Sequence, residues 1–167
     1  PGKYNVRLLG ATMGRVIDYG VKDSMNMGAC MAPAACDTIY RHLKDFGLKL
    51  EHYDRIVTGD LGVVGKEILL ALLMEKGFDI TKQHMDCGIE IFDAKRQKTD
   101  AGGSGCGCSA ITLTGYLLKK FRRAYLSVFF LCRPGRCFPR SVSMRATVCR
   151  VLRMRWFWNI VENNGKL

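Results

Sequence analysis

The sequence predicts a layered α/β domain, because short β-branched or apolar stretches alternate with helical patterns along residues 1–121. The chain has 167 residues, and 48% of them are hydrophobic, which is enough to bury one core. Apolar runs such as Glu67–Met74 stop well short of the ~20 residues that a membrane-spanning helix requires. We therefore predict one globular α/β unit without a transmembrane helix.

The first two predicted elements are a bent strand or strand pair over Val6–Ile17 and an amphipathic helix over Ala32–Gly47. In the helix, apolar residues recur at helical spacing, Pro33 suits the first turn, and Gly47 is a typical C-terminal stop. A glycine- and methionine-rich loop separates the two elements.

Four further elements follow in alternation. The patterns predict a short buried strand over Tyr53–Asp60, a helix over Gly65–Gly77, an alternating strand over Cys87–Asp93 and a third helix over Cys108–Phe121. This order is typical of a sheet covered by helices.

The positive charge is concentrated at the C-terminal end. Residues 1–121 carry 16 Lys and Arg against 14 Asp and Glu, whereas residues 122–167 carry 10 against 1. Both tryptophans also lie in the second part. We therefore predict two parts: a domain over 1–121 and a basic tail over 122–167. A basic, aromatic tail also suits nucleic-acid or membrane-surface binding, which stays an alternative reading of the tail.

Eight cysteines and three histidines are the candidates for metal or nucleophilic chemistry. The cysteines lack the paired CxxC spacing of structural zinc sites, so we predict reduced thiols, no metal and no cofactor. A nucleophilic Cys106 or Cys108 needs a helix N-terminus and a nearby imidazole. His42, His52 and His84 are predicted to be surface or partly packed residues rather than bases.

Two glycine-rich loops follow strands and precede helices, which is where α/β folds bind ligands. They are "TGDLGVVG" at 58–65 and "AGGSGCGCSA" at 101–110. Glycines allow close backbone approach, and the amides of a following helix bind anions. Neither loop has the spacing of a P-loop or a dinucleotide motif, so two tight turns remain the open alternative.

Four stretches resemble, in order and spacing, the C-terminal half of the stage V sporulation protein AD family. They are "GATMGRVIDYGVKDSMNMGACMAPAACDTI", "YDRIVTGDLG", "DCGIEIFD" and "AGGSGCGCSA…GYLLKKF", and the resemblance runs from Gly2 to about Phe121. It implies a partial thiolase-like fold: one C-terminal half-domain with an incomplete sheet. The first residues lack an initiator methionine and a signal-peptide pattern, so we expect a piece of a longer protein.

This family is similar to thiolases and ketoacyl synthases, whose two α/β halves meet around an active site. Gly59 and Asp60 stand where synthases carry a histidine, and Ser104 stands roughly where they carry an asparagine. Without that histidine and that asparagine, no residue is present to act as the general acid or to form the oxyanion hole. We therefore expect no catalytic residue. An acyl-transfer enzyme of the synthase or thiolase type stays the alternative. The ligand-binding residues that the resemblance implies are Gly59, Asp60, Gly103, Ser104, Gly105 and Cys106.

The resemblance implies a sporulation protein that binds dipicolinic acid, a small planar dianion, for uptake into the developing spore. The implied partners are membrane proteins of the same sporulation operon and a second copy of the chain, and not nucleic acid. The implied location is peripheral, on the cytoplasmic side of the inner membrane of the forespore or spore. Lys66 is a candidate for added positive charge, with a solvated lysine as the alternative. In this truncated form we expect no function.

The tail departs from the ending that the family carries, so the resemblance implies that residues 122–167 are an aberrant, poorly ordered tail. Codons permitted by residues 146–163, read two nucleotides later, encode "DSVPCIAHAVVLE", which matches a strand of that ending. Met154, Trp156 and Trp158 each have a single codon, which limits the freedom of this reading. A change of frame also explains the basic charge of the tail without a nucleic-acid partner.

We therefore predict a one-base insertion or deletion, or a sequencing error, near residues 121–123. Resequencing the encoding DNA across this point tests the hypothesis. An intact reading frame with no alternative continuation would contradict it.

Overall fold

The computed structural model describes residues 6–8, 10–15, 17–23, 25–102, 105, 107–122, 126, 128–132 and 156–160. In chain order the elements are β1 (Val6–Leu8), α1 (Met27–Phe46), a 3-10 turn (Leu50–His52), β2 (Arg55–Thr58), α2 (Gly62–Glu75), β3 (His84–Asp86), α3 (Cys87–Ile91), α4 (Ala94–Gln97), α5 (Cys108–Thr112), a π turn (Leu113–Leu117), α6 (Leu118–Arg122), β4 (Val128–Cys132) and β5 (Trp156–Ile160).

The strands form one mixed sheet in the order β1-β5-β4-β2-β3. β2 lies between β3 and β4 and runs parallel to both, whereas β5 is antiparallel to β4 and to β1. Parallel neighbours need a crossover connection, and α2 provides it between β2 and β3. The prediction of an α/β domain is confirmed.

Apolar cores lie on both faces of the parallel part of the sheet. Neighbouring residues of a pleated strand point to opposite faces, and here Ile56 belongs to one core and Val57 to the other. The first core contains buried residues of α1 and α2, and the second contains Cys87 of α3 and Cys108 of α5. Helices therefore form a layer on each side of the sheet.

Helix α1 begins earlier than the sequence pattern predicts. The side chain of Asn26 accepts a hydrogen bond from the amide of Ala29 at 3.1 Å and caps the helix before Met27. Pro33 consequently lies inside the helix rather than in its first turn. The predicted stop is confirmed, since Gly47 has the left-handed φ of 57° that favours glycine at a helix end.

The predicted strand over Cys87–Asp93 is wrong. The strand lies just before it, at His84–Asp86, and Cys87–Ile91 forms the short helix α3. Asp86 ends the strand in an extended conformation, and its side chain caps the helix by accepting from the amide of Ile89 at 3.3 Å. Alternation over so few residues cannot separate a strand from one helical turn.

The predicted strand over Val6–Ile17 is shorter in the structure, where β1 spans only Val6–Leu8. In the described parts of 10–23, the chain forms neither helix nor strand. Arg15 ties this segment to α1 through two hydrogen bonds to the carboxylate of Asp37, at 2.8 and 3.1 Å. The third predicted helix is present as α5, the π turn and α6 in succession.

Strand β4 lies within the stretch that the sequence assigns to the basic tail. All five of its residues are buried, and it pairs with β2 on one side and with β5 on the other. At least these residues therefore pack with the domain. Most of the tail lies outside the described residues, and the frame change stays a prediction. Within the described part of the chain, no helix has the length and apolar character needed to cross a membrane.

Helices α1 and α2 approach each other through glycine. A Cβ atom on Gly28 would overlap the carbonyl of Leu61 and would lie 2.7 Å from the amide nitrogen of Gly65. Likewise, a Cβ atom on Gly65 would lie 2.7 Å from the Cα atom of Gly28. This contact brings the first turns of the two helices together at the end of β2.

We expect Gly28→Ala to lower the free energy of unfolding by about 2–4 kcal/mol, because the added methyl group meets backbone atoms that cannot turn aside. The matched control is Gly115→Ala, where a Cβ atom would have no neighbour within 4 Å. That change should be neutral or stabilise the fold by up to about 1 kcal/mol. Urea unfolding measures both, and equal midpoints for the two variants would contradict the close contact.

Candidate functional site

The buried carboxylate of Asp86, at the end of β3, organises the loop that follows β2. It accepts hydrogen bonds from the hydroxyl of Thr58 at 2.5 Å and from the amide of Leu61 at 2.8 Å. The amide of Gly62 lies 3.4 Å from its second oxygen. Burial raises the pKa of Asp86, while the bonds from Leu61 and Thr58 oppose that rise. The N-terminus of α2 is thus capped by a carboxylate from the neighbouring strand.

A second buried carboxylate, Asp60, connects this loop to the glycine-rich loop before α5. Its Oδ2 atom accepts from the amide of Gly105 at 2.6 Å and lies 3.8 Å from the Sγ atom of Cys108. Gly88 in α3 leaves the space for it, because a Cβ atom there would overlap the Asp60 carboxylate. Three elements therefore meet around this side chain.

The two glycine-rich loops also touch through their backbones. Gly62 and Gly102 have left-handed φ values of 66° and 71°, which favour glycine. A Cβ atom on Gly102 would lie 2.8 Å from the Cα atom of Gly62. The structure therefore brings the two predicted loops together at the carboxyl ends of the parallel strands.

Three of the six predicted site residues lie in the described part of the chain. Gly59 is buried directly before Asp60, and Asp60 binds Gly105. Gly103, Ser104 and Cys106 lie outside the described residues. The sequence does not reveal that Asp60 faces the protein's own backbone. An aspartate beside a glycine loop is compatible with either role until the fold is known.

The prediction that the histidines are surface or partly packed is wrong for His42 and His84. His42 is 1% exposed and is hydrogen-bonded to the hydroxyl of Tyr53 in the first core. His84 is 9% exposed, and its Nε2 atom lies 3.1 Å from the hydroxyl of Thr58. Only His52 is exposed among the three. The missed signal is the His-x-Asp spacing of β3, which places His84 and Asp86 on one face of the strand.

Burial lowers the pKa of His84 to about 4, and the nearby charge of Lys66 contributes in the same direction. The ring is therefore neutral at pH 7. Because the Thr58 hydroxyl donates to Asp86, it accepts from the Nε2–H group of His84. A continuous hydrogen-bonded series runs from His84 through Thr58 to Asp86.

The thiols near the site are protonated and buried. Burial and the adjacent Asp60 carboxylate raise the pKa of Cys108 to about 11. Burial raises the pKa of Cys87 to about 12. Both side chains pack in the second core. In the described ranges, no group of three or more His, Cys, Asp or Glu residues has a geometry that could hold a metal ion.

The lowered pKa of His84 makes folding depend on pH. The unfolded ring takes up a proton near pH 6.5 and the folded ring only near pH 4, so its contribution is present above pH 6.5 and lost as the pH falls to 4. We expect a loss of about 3 kcal/mol over this window. Asp86, with its raised pKa, changes stability in the opposite direction, so only a comparison with a variant isolates His84.

The comparison uses His84→Gln, which keeps an N–H donor for Thr58 and removes the titration. Its free energy of unfolding, measured by urea titration at several pH values, should depend less on pH than that of the parent. The exposed His52→Gln is the matched control and should retain the parental slope. A His84→Gln slope equal to the parental one would contradict the assignment.

Comparison with known proteins identifies the family of the chain. The sequence profile of the family described as Stage V sporulation protein AD (SpoVAD) matches residues 2–147, which extends past Phe121 into the basic tail. Stage V sporulation protein AD from Bacillus subtilis (strain 168) is 38% identical to this chain over 145 residues. The aligned region covers 86% of the chain and 43% of that relative, so the chain spans less than half the relative's length. On this evidence the chain belongs to the stage V sporulation protein AD family of sporulation proteins.

Proposed function

We propose that this chain contributes one side of a binding pocket for dipicolinic acid, through which the intact protein takes part in the uptake of that ligand into the developing spore. Membership in the stage V sporulation protein AD family is the observation that carries the proposal. The convergence of the two glycine-rich loops at one end of the parallel strands supports it, because such ends are where α/β folds bind ligands.

The chemistry of the described residues favours binding over acyl transfer. The loop after β2 carries Gly59, Asp60 and Leu61, so it offers no imidazole. The nearest histidine, His84, is buried and bonded to Thr58. With a pKa of about 11, Cys108 is a neutral thiol at pH 7, and a neutral thiol is a poor nucleophile. The described part of the site thus lacks an activated nucleophile and its base.

The electrostatics of the site restrict where a dianion fits. The amides of Leu61 and Gly105 already donate to Asp86 and Asp60, so they are not available to a ligand carboxylate. Two buried carboxylates also repel a dianion at short range. The partly exposed Lys66, in the second turn of α2, is the positive group in α2 nearest this end of the sheet. We propose that Lys66 attracts the ligand, while the two aspartates shape the loops.

We also propose partners and a cellular location for the intact protein. Membrane proteins of the same sporulation operon are the proposed partners, together with a second copy of the chain. The proposed location is peripheral, at the cytoplasmic side of the inner membrane of the forespore or spore. All three follow from the family resemblance alone.

A chimera tests the function of this chain in an intact pocket. Residues 2–147 replace the matching region of the Bacillus subtilis relative, and dipicolinate binding is measured by calorimetry for the chimera and the parent side by side. We expect both to bind. Isophthalate, which has the same two carboxylates but no ring nitrogen, reports whether the ring nitrogen is recognised.

In that chimera, Lys66→Met should weaken dipicolinate binding roughly fivefold, the effect of one partly screened charge. The matched control is Lys119→Met, which removes a charge on the helix after the second loop. A folded chimera that does not bind while the parent binds would overturn the proposal for this chain. Thioester turnover by the chimera would instead support the acyl-transfer alternative.

A further inference from the structure

We infer that Asp60 is a positioning residue, which fixes the glycine-rich loop before α5 through Gly105 and Cys108, rather than a residue that contacts the ligand. The inference refines the proposed function and rests on it only for the identity of the ligand. The arrangement itself follows from contacts among described residues.

The Asp60 side chain points toward the glycine-rich loop before α5. Its Oδ2 atom is 2.6 Å from the amide nitrogen of Gly105, a distance typical of a strong charge-assisted hydrogen bond. The Sγ atom of Cys108 lies 3.8 Å from the same oxygen. The other oxygen, Oδ1, occupies the space left by the missing side chain of Gly88. With 8% exposure, the carboxylate has little surface left for a ligand.

Hydrogen bonds to Asp86 hold the chain on either side of Asp60. The hydroxyl of Thr58 and the amide of Leu61 both donate to Asp86, so the backbone is held two residues before and one residue after Asp60. A carboxylate on a fixed backbone can restrain a mobile partner. The partner here is a glycine-rich loop, whose conformational freedom is large without such a bond.

Gly88 and Gly105 leave the space that the Asp60 carboxylate occupies. A Cβ atom on Gly105 would lie 2.7 Å from Oδ2 of Asp60 and 3.2 Å from the ring of Phe92. A larger residue at 88 or 105 would therefore displace the carboxylate. Asp60, Gly88 and Gly105 come from two loops and helix α3, and together they position the start of α5.

The Cys108 thiol supplies a direct reporter of the contact. The charges that raise its pKa, after burial itself, come from Asp60 and from the more distant Asp86. Removing the Asp60 charge should lower the pKa of Cys108, whereas loss of a remote structural residue would leave it unchanged. A pH profile of thiol reactivity therefore separates positioning by Asp60 from a general effect on stability.

The experiment compares Asp60→Asn, Asp60→Ala and the control Asp37→Asn in the 167-residue chain. Iodoacetamide labelling of Cys108 is followed by peptide mass spectrometry between pH 7 and pH 11. Cys36 is the internal reference in the Asp60 variants only, because the charge of Asp37 contributes to the pKa of Cys36. In Asp60→Asn, which retains an acceptor for Gly105, the profile should shift to lower pH, with roughly tenfold faster labelling for each unit of pKa. In Asp60→Ala, the Gly105 amide should also exchange with solvent faster, by tenfold or more.

A parental Cys108 profile in Asp60→Asn would overturn the inference, as would an equal shift in Asp37→Asn. Because Asp60→Ala can fail to fold, Asp60→Asn with a parental urea midpoint carries the decision. Dipicolinate binding by the chimera is measured separately. A shifted thiol profile without dipicolinate binding supports positioning and contradicts the proposed function. Binding abolished in Asp60→Asn, together with a parental thiol profile, makes Asp60 a ligand contact.

Discussion

Two hydrogen-bonded carboxylates join the loops at the carboxyl ends of the parallel strands. Asp86 leaves β3 and binds the loop after β2, and Asp60 leaves that loop and binds the next one. The bond from Asp86 gives a partner to the buried amide of Leu61, and an unpaired buried amide costs about 1–3 kcal/mol. This arrangement also concentrates negative charge, because both carboxylates are buried within one small region. The site therefore binds its own carboxylates where similar loops bind an external anion.

Glycine provides the space that these bonds need. Gly28 and Gly65 let α1 and α2 meet, Gly62 and Gly102 let the two loops meet, and Gly88 admits Asp60. The contacts form one continuous region from the start of α1 to the glycine-rich loop. Geometry at this end of the sheet thus depends on missing side chains as much as on present ones. The chain that has this geometry belongs to the stage V sporulation protein AD family.

Patterns within one element were predictable, and pairings between elements were not. Helical periodicity predicted α1 and α2 because each buries one long apolar stripe, and Gly47 marked the end of α1. The pairing of Asp60 with Gly105 spans 45 positions, and no local pattern encodes it. Burial of His84 likewise depends on another strand, because its partner Thr58 lies at the end of β2. Short α3 was mistaken for a strand, because five residues are too few to show a period.

The position of β4 has a consequence for self-association. It occupies the side of β2 opposite β3, and β5 covers its other side. A nascent chain that ends before residue 128 exposes a full row of amide and carbonyl groups on β2, beside the apolar Ile56 and Val57. Such an open edge is a template for pairing with another chain. The five apolar residues of β4 thus protect the sheet from edge-to-edge aggregation, whatever the origin of the basic segment that contains them.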